Sequence, residues 1–183
     1  MQHTLIILDR DGVINHDSNA YIKNITEWQP ISGSISAIAR LKNAGYKVAV
    51  ATNQAGMKRG LFSEEDLHAM HDKLNILLAA HGVSIDCIRY CPHLPEDNCN
   101  CRKPKPGLLQ DISQTLSVPL ANAYFVGDSA KDIQAAKVVG ACPVLVRTGN
   151  GLKTFEENSE LIKDVLICDD LNSFVNFLLK ENQ

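Results

Sequence analysis

The chain has 183 residues, 45 % of them hydrophobic, which is enough for a self-sufficient core, so we expect one domain over residues 1–183. Its formal net charge of −3 argues against a general nucleic-acid or membrane-surface role, and no apolar run approaches the roughly 18 residues of a membrane span. No basic leader or cleavage site precedes the first apolar run, so we expect a cytoplasmic protein with reduced thiols.

Short apolar runs alternate with helical patterns along the chain. Six runs predict buried strands, the last of them the weakest: residues 5–8, 48–50, 85–88, 124–126, 144–146 and 165–167. Helical patterns lie in three of the gaps, over residues 35–41, 63–82 and 133–140. Ser63 and Asp66 have the spacing of a capping box, and Gly45 suits a helix end. This alternation predicts an α/β fold with a doubly wound, Rossmann-like, mostly parallel sheet.

Polar side chains follow three of the predicted strands. Asp9 and Asp11 end the first strand, residues 52–54 (Thr-Asn-Gln) end the second, and Asp128 and Asp132 follow the fourth. Singly, each group has a plain structural explanation, such as an acidic turn or a helix cap. Together they would meet at one edge of the sheet, where ligands of such folds bind. Acidic turns and helix caps alone would not bring all of these side chains to the same edge of the sheet.

A short run in the middle of the chain carries two close pairs of soft metal ligands: Cys91 with His93, and Cys99 with Cys101. Such pairs favour a zinc site over buried free cysteines or a disulfide framework, because the chain can fold without staples. Four protein ligands leave no open position for water, which favours a structural ion. Two cations, Arg102 and Lys103, follow the last ligand directly, so the ion would fix where two positive charges point.

The charges of these groups restrict the chemistry. Asp9, Asp11 and Asp128 would repel one another in one cleft unless a hard divalent cation neutralised them, and oxygen ligands suit Mg²⁺. Carboxylates near Mg²⁺, with the Thr52 hydroxyl and the Lys103 ammonium, are a set suited to phosphoryl transfer. An aspartate can then serve as a nucleophile and a second acid can move the proton.

The motifs Asp9-x-Asp11-Gly12, Thr52-Asn53, Lys103 and Gly127-Asp128-x3-Asp132 resemble, in order, the four motifs of the haloacid dehalogenase superfamily. The resemblance covers about residues 4–150. It implies that Asp9 is the nucleophile and Asp11 the general acid and base, as in the phosphatases of the superfamily. It also implies that Thr52 and Lys103 hold the phosphoryl oxygens.

For the metal, the same resemblance implies Mg²⁺ on Asp9, on the main-chain carbonyl of Asp11 and on Asp128, with Asp132 as a supporting acid. About 20 residues separate Asp11 from the first helix, so no separate cap domain fits there. The site is then roofed only by loops.

Finer features resemble the D-glycero-D-manno-heptose 1,7-bisphosphate 7-phosphatases, which supply a heptose precursor of the lipopolysaccharide core, and the similar histidinol-phosphatases. The zinc run before Arg102-Lys103-Pro104 occurs in both, whereas the segments 52–56 and 146–149 resemble the heptose enzymes. This implies a small phosphorylated sugar as substrate and a monomeric enzyme. A bisphosphate would give Arg102 a second phosphate to bind. The resemblance further places Asp17, Asn53 and Gln54 at the substrate, although the loop 17–21 is one residue longer here.

Histidinol phosphate remains an alternative substrate. A receiver-type signalling domain is a rival fold, but its phosphorylated Asp ends a middle strand, and no acid follows the second strand here. A zinc-stapled, non-catalytic interaction domain is a third reading, and the intact set of acids, Thr52 and Lys103 argues against it.

Overall fold

The computed structural model describes residues 4–181, and its centre is one parallel sheet. Six strands form it in the order β3-β2-β1-β4-β5-β6, which confirms the predicted α/β fold. The strands are β1 (Leu5–Leu8), β2 (Lys47–Asn53), β3 (Cys87–Cys91), β4 (Tyr124–Gly127), β5 (Cys142–Val146) and β6 (Leu166–Cys168). β1 is fully buried because it pairs with β2 on one side and β4 on the other.

Helices cover both faces of the sheet. They are α1 (Ser34–Asn43), α2 (Glu64–Ala79), α3 (Gly107–Leu116), α4 (Ala130–Val138), α5 (Gly151–Glu157) and α6 (Leu171–Glu181). The strand period of two sends Ile6 and Leu8 to one face, where they pack with apolar residues of α1, α2 and α6. Leu5 and Ile7 point to the other face and pack with α3 and α4. Among the described helices, none combines the length and the apolar character that crossing a bilayer requires.

Local signals correctly predicted the start of α2 and the ends of α1 and α4. Ser63 caps α2 and forms the expected capping box with Asp66. Gly45 and Gly140 follow α1 and α4 with positive φ angles of 88° and 72°, as helix-ending glycines do.

Two parts of the prediction differ from the structure. The third strand covers Cys87–Cys91 rather than residues 85–88, because Arg89 and Tyr90 join the ladder of this half-buried edge strand. Helices α3, α5 and α6 were not predicted; α5 has only seven residues, whereas α3 and α6 are amphipathic and at least as long as α1.

The sheet order creates a switch point between β1 and β4. The chain runs outward from β1 through β2 to β3, and then returns to the other side of β1 to form β4. Loops after these two central strands therefore diverge and leave a crevice at their carboxyl ends. The connection from β1 to α1 consists of turns and isolated bridges, with no further domain inserted.

Candidate active site

A cleft of about 560 Å³ opens at this switch point. Its walls come from the loops after β1, β2 and β4, from Arg102 and Lys103, and from Asn150 at the end of the loop after β5. The lining includes the predicted site residues Asp9, Asp11, Asp17, Thr52, Asn53, Gln54, Arg102, Lys103 and Asp128. The meeting of polar strand ends expected from the sequence is therefore present in the structure.

Lys103 is the buried cation at the base of the cleft. Its side chain is 2 % exposed, and its Nζ lies 2.9 Å from Asp9 Oδ2 and 2.7 Å from Asp132 Oδ1. The same ammonium donates to the Ala51 carbonyl at 2.8 Å. Burial alone lowers the pKa of Lys103, but the two carboxylates outweigh burial and raise it, so the side chain stays charged.

Asp9 lies at the centre of a group of buried acids. One carboxylate oxygen from each of Asp9, Asp128 and Asp132 lies within 4.8 Å of the others. Burial raises the pKa of Asp9 to about 7, although Lys103 acts to lower it. Burial and the negative charges of Asp132 and Asp9 also raise the pKa of Asp128 well above its ordinary value. The group holds more negative charge than Lys103 neutralises.

Asp128 sits in a tight main-chain cradle. Its Oδ2 accepts a hydrogen bond from the Asn150 N–H at 2.8 Å. A Cβ on Gly12 would lie 2.1 Å from this oxygen, and one on Gly149 would lie 2.2 Å from it. Both glycines also have positive φ, so glycine is needed at each position for space and for conformation.

Asp11 is bound by donors on three sides. Arg10 donates to both of its oxygens at 3.0 Å from Nη2, Asn15 donates at 2.8 Å, and Gln54 donates at 2.8 Å. Burial acts to raise the pKa of Asp11, but the Arg10 charge and these hydrogen bonds together lower it. In this conformation Asp11 is therefore an anionic carboxylate whose lone pairs are occupied.

The end of β2 supplies three consecutive polar side chains with different surroundings. The Thr52 hydroxyl accepts a hydrogen bond from Gln54 Nε2 at 2.8 Å. Gln54 gives its other amide hydrogen to Asp11, and the side chain is 3 % exposed, so it links two site residues from within the protein. Asn53 makes both of its amide contacts to the main chain of Lys103. No helix begins here, which removes the helix-cap explanation for Thr52 and Asn53.

Asp132 has a structural role and a site role together. Its Oδ2 accepts hydrogen bonds from the Ser129 N–H and hydroxyl, which closes the capping box of α4. Its Oδ1 contacts the Lys103 ammonium. Asp132 is therefore a helix-capping residue through Oδ2, and its Oδ1 belongs to the site.

The soft ligands form a compact cluster beside the cleft. Sγ–Sγ separations among Cys91, Cys99 and Cys101 are 3.2 to 3.6 Å, and His93 Nδ1 lies 3.3 Å from Cys101 Sγ and 3.6 Å from Cys91 Sγ. These distances are too long for disulfides, whose sulfurs lie about 2.05 Å apart. A tetrahedron with Zn–S bonds of about 2.3 Å has edges of roughly 3.8 Å, so the four ligand atoms fit a zinc ion after small shifts.

The remaining predicted substrate contacts lie around the mouth of the cleft. Arg102 lines the cleft and donates from Nη1 to the His93 carbonyl at 3.0 Å, which ties it to the soft-ligand cluster. Asp17 accepts a hydrogen bond from Asn150 Nδ2 at 2.8 Å. Among the described residues, neither side chain is hydrogen-bonded to Asp9 or to the Lys103 ammonium, so both belong to the outer part of the site.

Sequence reasoning missed four residues that shape this site. Arg10 and Asn15 hold Asp11, Asn150 holds Asp128 and Asp17, and Lys131 lines the cleft. Arg10 occupies the middle of the Asp-x-Asp motif, but its burial to 1 % exposure is visible only in the structure, because arginine side chains mostly lie at the surface. Nothing in the local pattern singled out Asn15 or Asn150.

The donor set also fits a hard divalent cation. Asp9 and Asp128 offer buried carboxylate oxygens close together, with burial and mutual repulsion that a cation would relieve. Asp132 is less available, because Ser129 and Lys103 occupy its two oxygens.

Comparisons with known proteins agree with this geometry. A family model described as HAD-hydrolase-like matches residues 100–174. D-glycero-beta-D-manno-heptose-1,7-bisphosphate 7-phosphatases of Pseudomonas putida and Pseudomonas aeruginosa are both 51 % identical to the chain. The matches cover 96 % and 98 % of this chain, and 99 % and 100 % of the relatives.

A solved structure is similar over the same length. It is the D,D-heptose 1,7-bisphosphate phosphatase of B. bronchiseptica complexed with magnesium and phosphate, with 48 % identity and a TM-score of 0.94. The match covers 97 % of this chain and 99 % of that chain. The prediction of a phosphatase of the haloacid dehalogenase superfamily is confirmed. The chain belongs to the D-glycero-β-D-manno-heptose-1,7-bisphosphate 7-phosphatase family.

Proposed function

We propose that the protein is a Mg²⁺-dependent phosphatase that removes the 7-phosphate of D-glycero-β-D-manno-heptose 1,7-bisphosphate. The observation that carries the proposal is the contact between Asp9 and the Lys103 ammonium, 2.9 Å apart, at the switch point of the sheet. The substrate and its β anomer come from the names of relatives about half identical to the chain. The product would serve as a heptose precursor for the lipopolysaccharide core.

The first chemical step forms a bond between an Asp9 carboxylate oxygen and the phosphorus, and breaks the bond from phosphorus to the sugar oxygen. Lys103 and Thr52 hold the phosphoryl oxygens while their charge changes. Asp11 gives the leaving sugar oxygen its proton. Asp11 is anionic while Arg10, Asn15 and Gln54 bind it in the structure, so before this transfer it has to turn one oxygen away from them and take up a proton from water.

The second step hydrolyses the phosphate ester on Asp9. Asp11, now without its proton, removes a proton from the attacking water. The new oxygen–phosphorus bond replaces the bond to Asp9, which regenerates the carboxylate and releases inorganic phosphate. Asp132 supports both steps by keeping Lys103 in place, since its Oδ1 lies 2.7 Å from the ammonium.

Two metal ions complete the proposal. Mg²⁺ would be held by Asp9, the main-chain carbonyl of Asp11 and Asp128, and it would supply positive charge that offsets the phosphoryl oxygens. Zn²⁺ would be held by the soft-ligand cluster, Cys91, His93, Cys99 and Cys101, as a structural ion. Four protein ligands leave it no open position for chemistry.

Recognition of the rest of the substrate is assigned to the mouth of the cleft. Arg102 and Lys131 line it and would bind the 1-phosphate, because a guanidinium and an ammonium both suit a phosphate dianion. Asp17 would accept hydrogen bonds from sugar hydroxyls. We further propose that residues 1–183 act as one phosphatase domain, in the cytoplasm and as a monomer; the single domain is supported by the one sheet whose strand ends and loops line the cleft.

Replacing the nucleophile tests the mechanism. Asp9→Asn should lower phosphate release from the bisphosphate by at least about 1000-fold, because the amide is a poor nucleophile. Zinc content should not change, since Asp9 is not a ligand of that cluster. Asp164→Asn, at an exposed position far along the chain, is the matched control. Normal phosphate release by the Asp9→Asn variant would contradict the mechanism.

A further inference from the structure

Asn53, the last residue of β2, makes a two-point contact with the main chain of Lys103. Its Oδ1 accepts a hydrogen bond from the Lys103 N–H at 3.1 Å, and its Nδ2 donates to the Lys103 carbonyl at 3.1 Å. The two residues are 50 positions apart in the chain. The amide therefore ties the main chain of Lys103 to the end of β2 through one accepted and one donated hydrogen bond.

The same strand also holds the far end of the Lys103 side chain. The ammonium donates to the carbonyl of Ala51, two residues before Asn53 on β2, at 2.8 Å. β2 thus fixes Lys103 at its main chain through Asn53 and at its charge through Ala51. Between these points the side chain passes over the Phe125 ring, with Nζ 5.4 Å from the ring centre.

A catalytic cation needs this kind of fixation. Lysine has a flexible four-carbon stem, and small misplacements of a group that holds the transferring phosphate reduce the rate strongly. Arg102, the residue before Lys103, is bound to the soft-ligand cluster through the His93 carbonyl. Without Asn53, the main chain at Lys103 would lose its direct side-chain link to the sheet.

We propose that Asn53 is a positioning residue that acts through Lys103 and not through contact with the substrate. This differs from the expectation that Asn53 binds substrate, because both amide atoms already have main-chain partners. The proposal rests on the proposed function, in which Lys103 holds the phosphoryl group. In this proposal Thr52 contacts the phosphoryl group, whereas Asn53 holds the main chain of Lys103.

A double-mutant cycle separates the two roles of Asn53. The variants are Asn53→Ala, Lys103→Ala and the pair, assayed by kcat/KM on the heptose bisphosphate with Mg²⁺ present. Alone, Asn53→Ala should lower kcat/KM about 10-fold or more, because Lys103 is displaced. In the Lys103→Ala background the same change should cost less than about 2-fold, since the residue it positions is gone.

Binding of orthovanadate, measured as a change in melting temperature, tests the same four proteins without requiring catalytic turnover. With Mg²⁺ it should raise the melting temperature of the wild-type protein, and Asn53→Ala should reduce that rise. In the Lys103→Ala background, Asn53→Ala should leave the remaining rise unchanged. The melting temperatures without vanadate show whether each variant is folded.

Equal fold-losses from Asn53→Ala in both backgrounds, or an equal reduction of the vanadate effect, would show direct contact with the substrate and overturn the proposal. Wild-type-like activity of Asn53→Ala would overturn it as well. A wild-type protein without phosphatase activity would contradict the proposed function instead, so the two failures are distinguishable.

Discussion

Among single residues, the buried acids at the end of the sheet make the largest electrostatic demand on the protein. Asp9, Asp128 and Asp132 lie within one cluster, and Lys103 is the buried cation that contacts it in the described chain. Arg10 does not neutralise these acids, because it donates hydrogen bonds to both carboxylate oxygens of Asp11. The site is therefore arranged for a further positive charge, which explains why its carboxylates can be packed so closely.

His71 lies near this group and should make stability depend on pH. It is 7 % exposed, and burial, followed by the charges of Arg10 and His68, lowers its pKa from 6.5 to about 3. Asp11 acts in the opposite direction but does not reverse the shift. Because the folded pKa is depressed, the unfolded chain binds the proton first, and stability falls as pH drops from about 6.5 toward 3.

Urea unfolding at pH 7.5 and pH 5.5 checks this prediction. Between these values, wild-type protein should lose about 1 kcal/mol more unfolding free energy than His71→Gln, because only the wild type has to hold the imidazole neutral. The exposed His81 is the matched control, and His81→Gln should behave like the wild type. An equal loss in wild type and His71→Gln would show that His71 is not the group responsible.

Among the elements, the run from β3 to α3 has the strongest effect on the site relative to its length. It contains a single 3-10 turn, Pro95–Asp97, and the soft-ligand cluster brings residues from both sides of this turn together. Arg102 and Lys103 follow the last ligand directly. An ion in this cluster would order the loop and both cations together, so its loss should affect stability and substrate binding at once.

Zinc content and activity can be measured together to test this. Wild-type protein should contain one zinc per chain by elemental analysis, and Cys101→Ser should lower the content below about half because one of four ligands is weakened. The variant should also melt at a lower temperature and bind substrate less tightly. Cys142→Ser is the control, because Cys142 lies on β5, outside the cluster. Full zinc content and normal stability in Cys101→Ser would contradict the proposed site.

For the molecule as a whole, the order of the strands in the sheet determines where the substrate crevice lies and which loops line it. The crevice at the switch point is open, and its outer wall is the loop that carries Asp17. Arg102 and Lys131 line this cleft together with Lys103. Such a spread of positive charge suits a substrate with two phosphates, whereas histidinol phosphate has one phosphate and a cationic amine.

Substrate comparison tests this difference. We expect kcat/KM for the β-heptose bisphosphate to exceed that for histidinol phosphate by at least about 100-fold, in line with one or two charge-assisted contacts. Arg102→Ala should remove about 10-fold or more of this preference, because its charged hydrogen bonds to the second phosphate are lost. Arg59→Ala, at an exposed position, is the matched control and should leave the preference unchanged. A preference for histidinol phosphate would reverse the assignment of the substrate.

Much of the fold and of the site followed from local patterns. Apolar runs placed most of the strands, and the spacing of the Cys and His residues indicated the soft-ligand cluster before any geometry was available. Asp9 and Asp128 could be paired because parallel strands end at one edge of a sheet. The first two inferences use information carried by neighbouring positions in the chain, and the third uses a general property of parallel sheets.

What could not be predicted depends on contacts between distant segments. The strand order is set by long-range packing, and it alone places β1 beside β4. Arg10 looks like a surface residue in the sequence, and its burial follows from the bidentate contact to Asp11. The bond between Asn53 and Lys103 joins positions 50 residues apart, so no local pattern reveals it.

The short connection between β1 and α1 has a consequence for fidelity. Enzymes with a hinged lid can reject a wrong substrate while the lid closes, since only the right one drives closure. Within residues 4–181 this protein has turns and bridges there and no inserted domain to close. We therefore expect its selectivity to reside in the resting cleft, where shape and charge distinguish substrates as they bind.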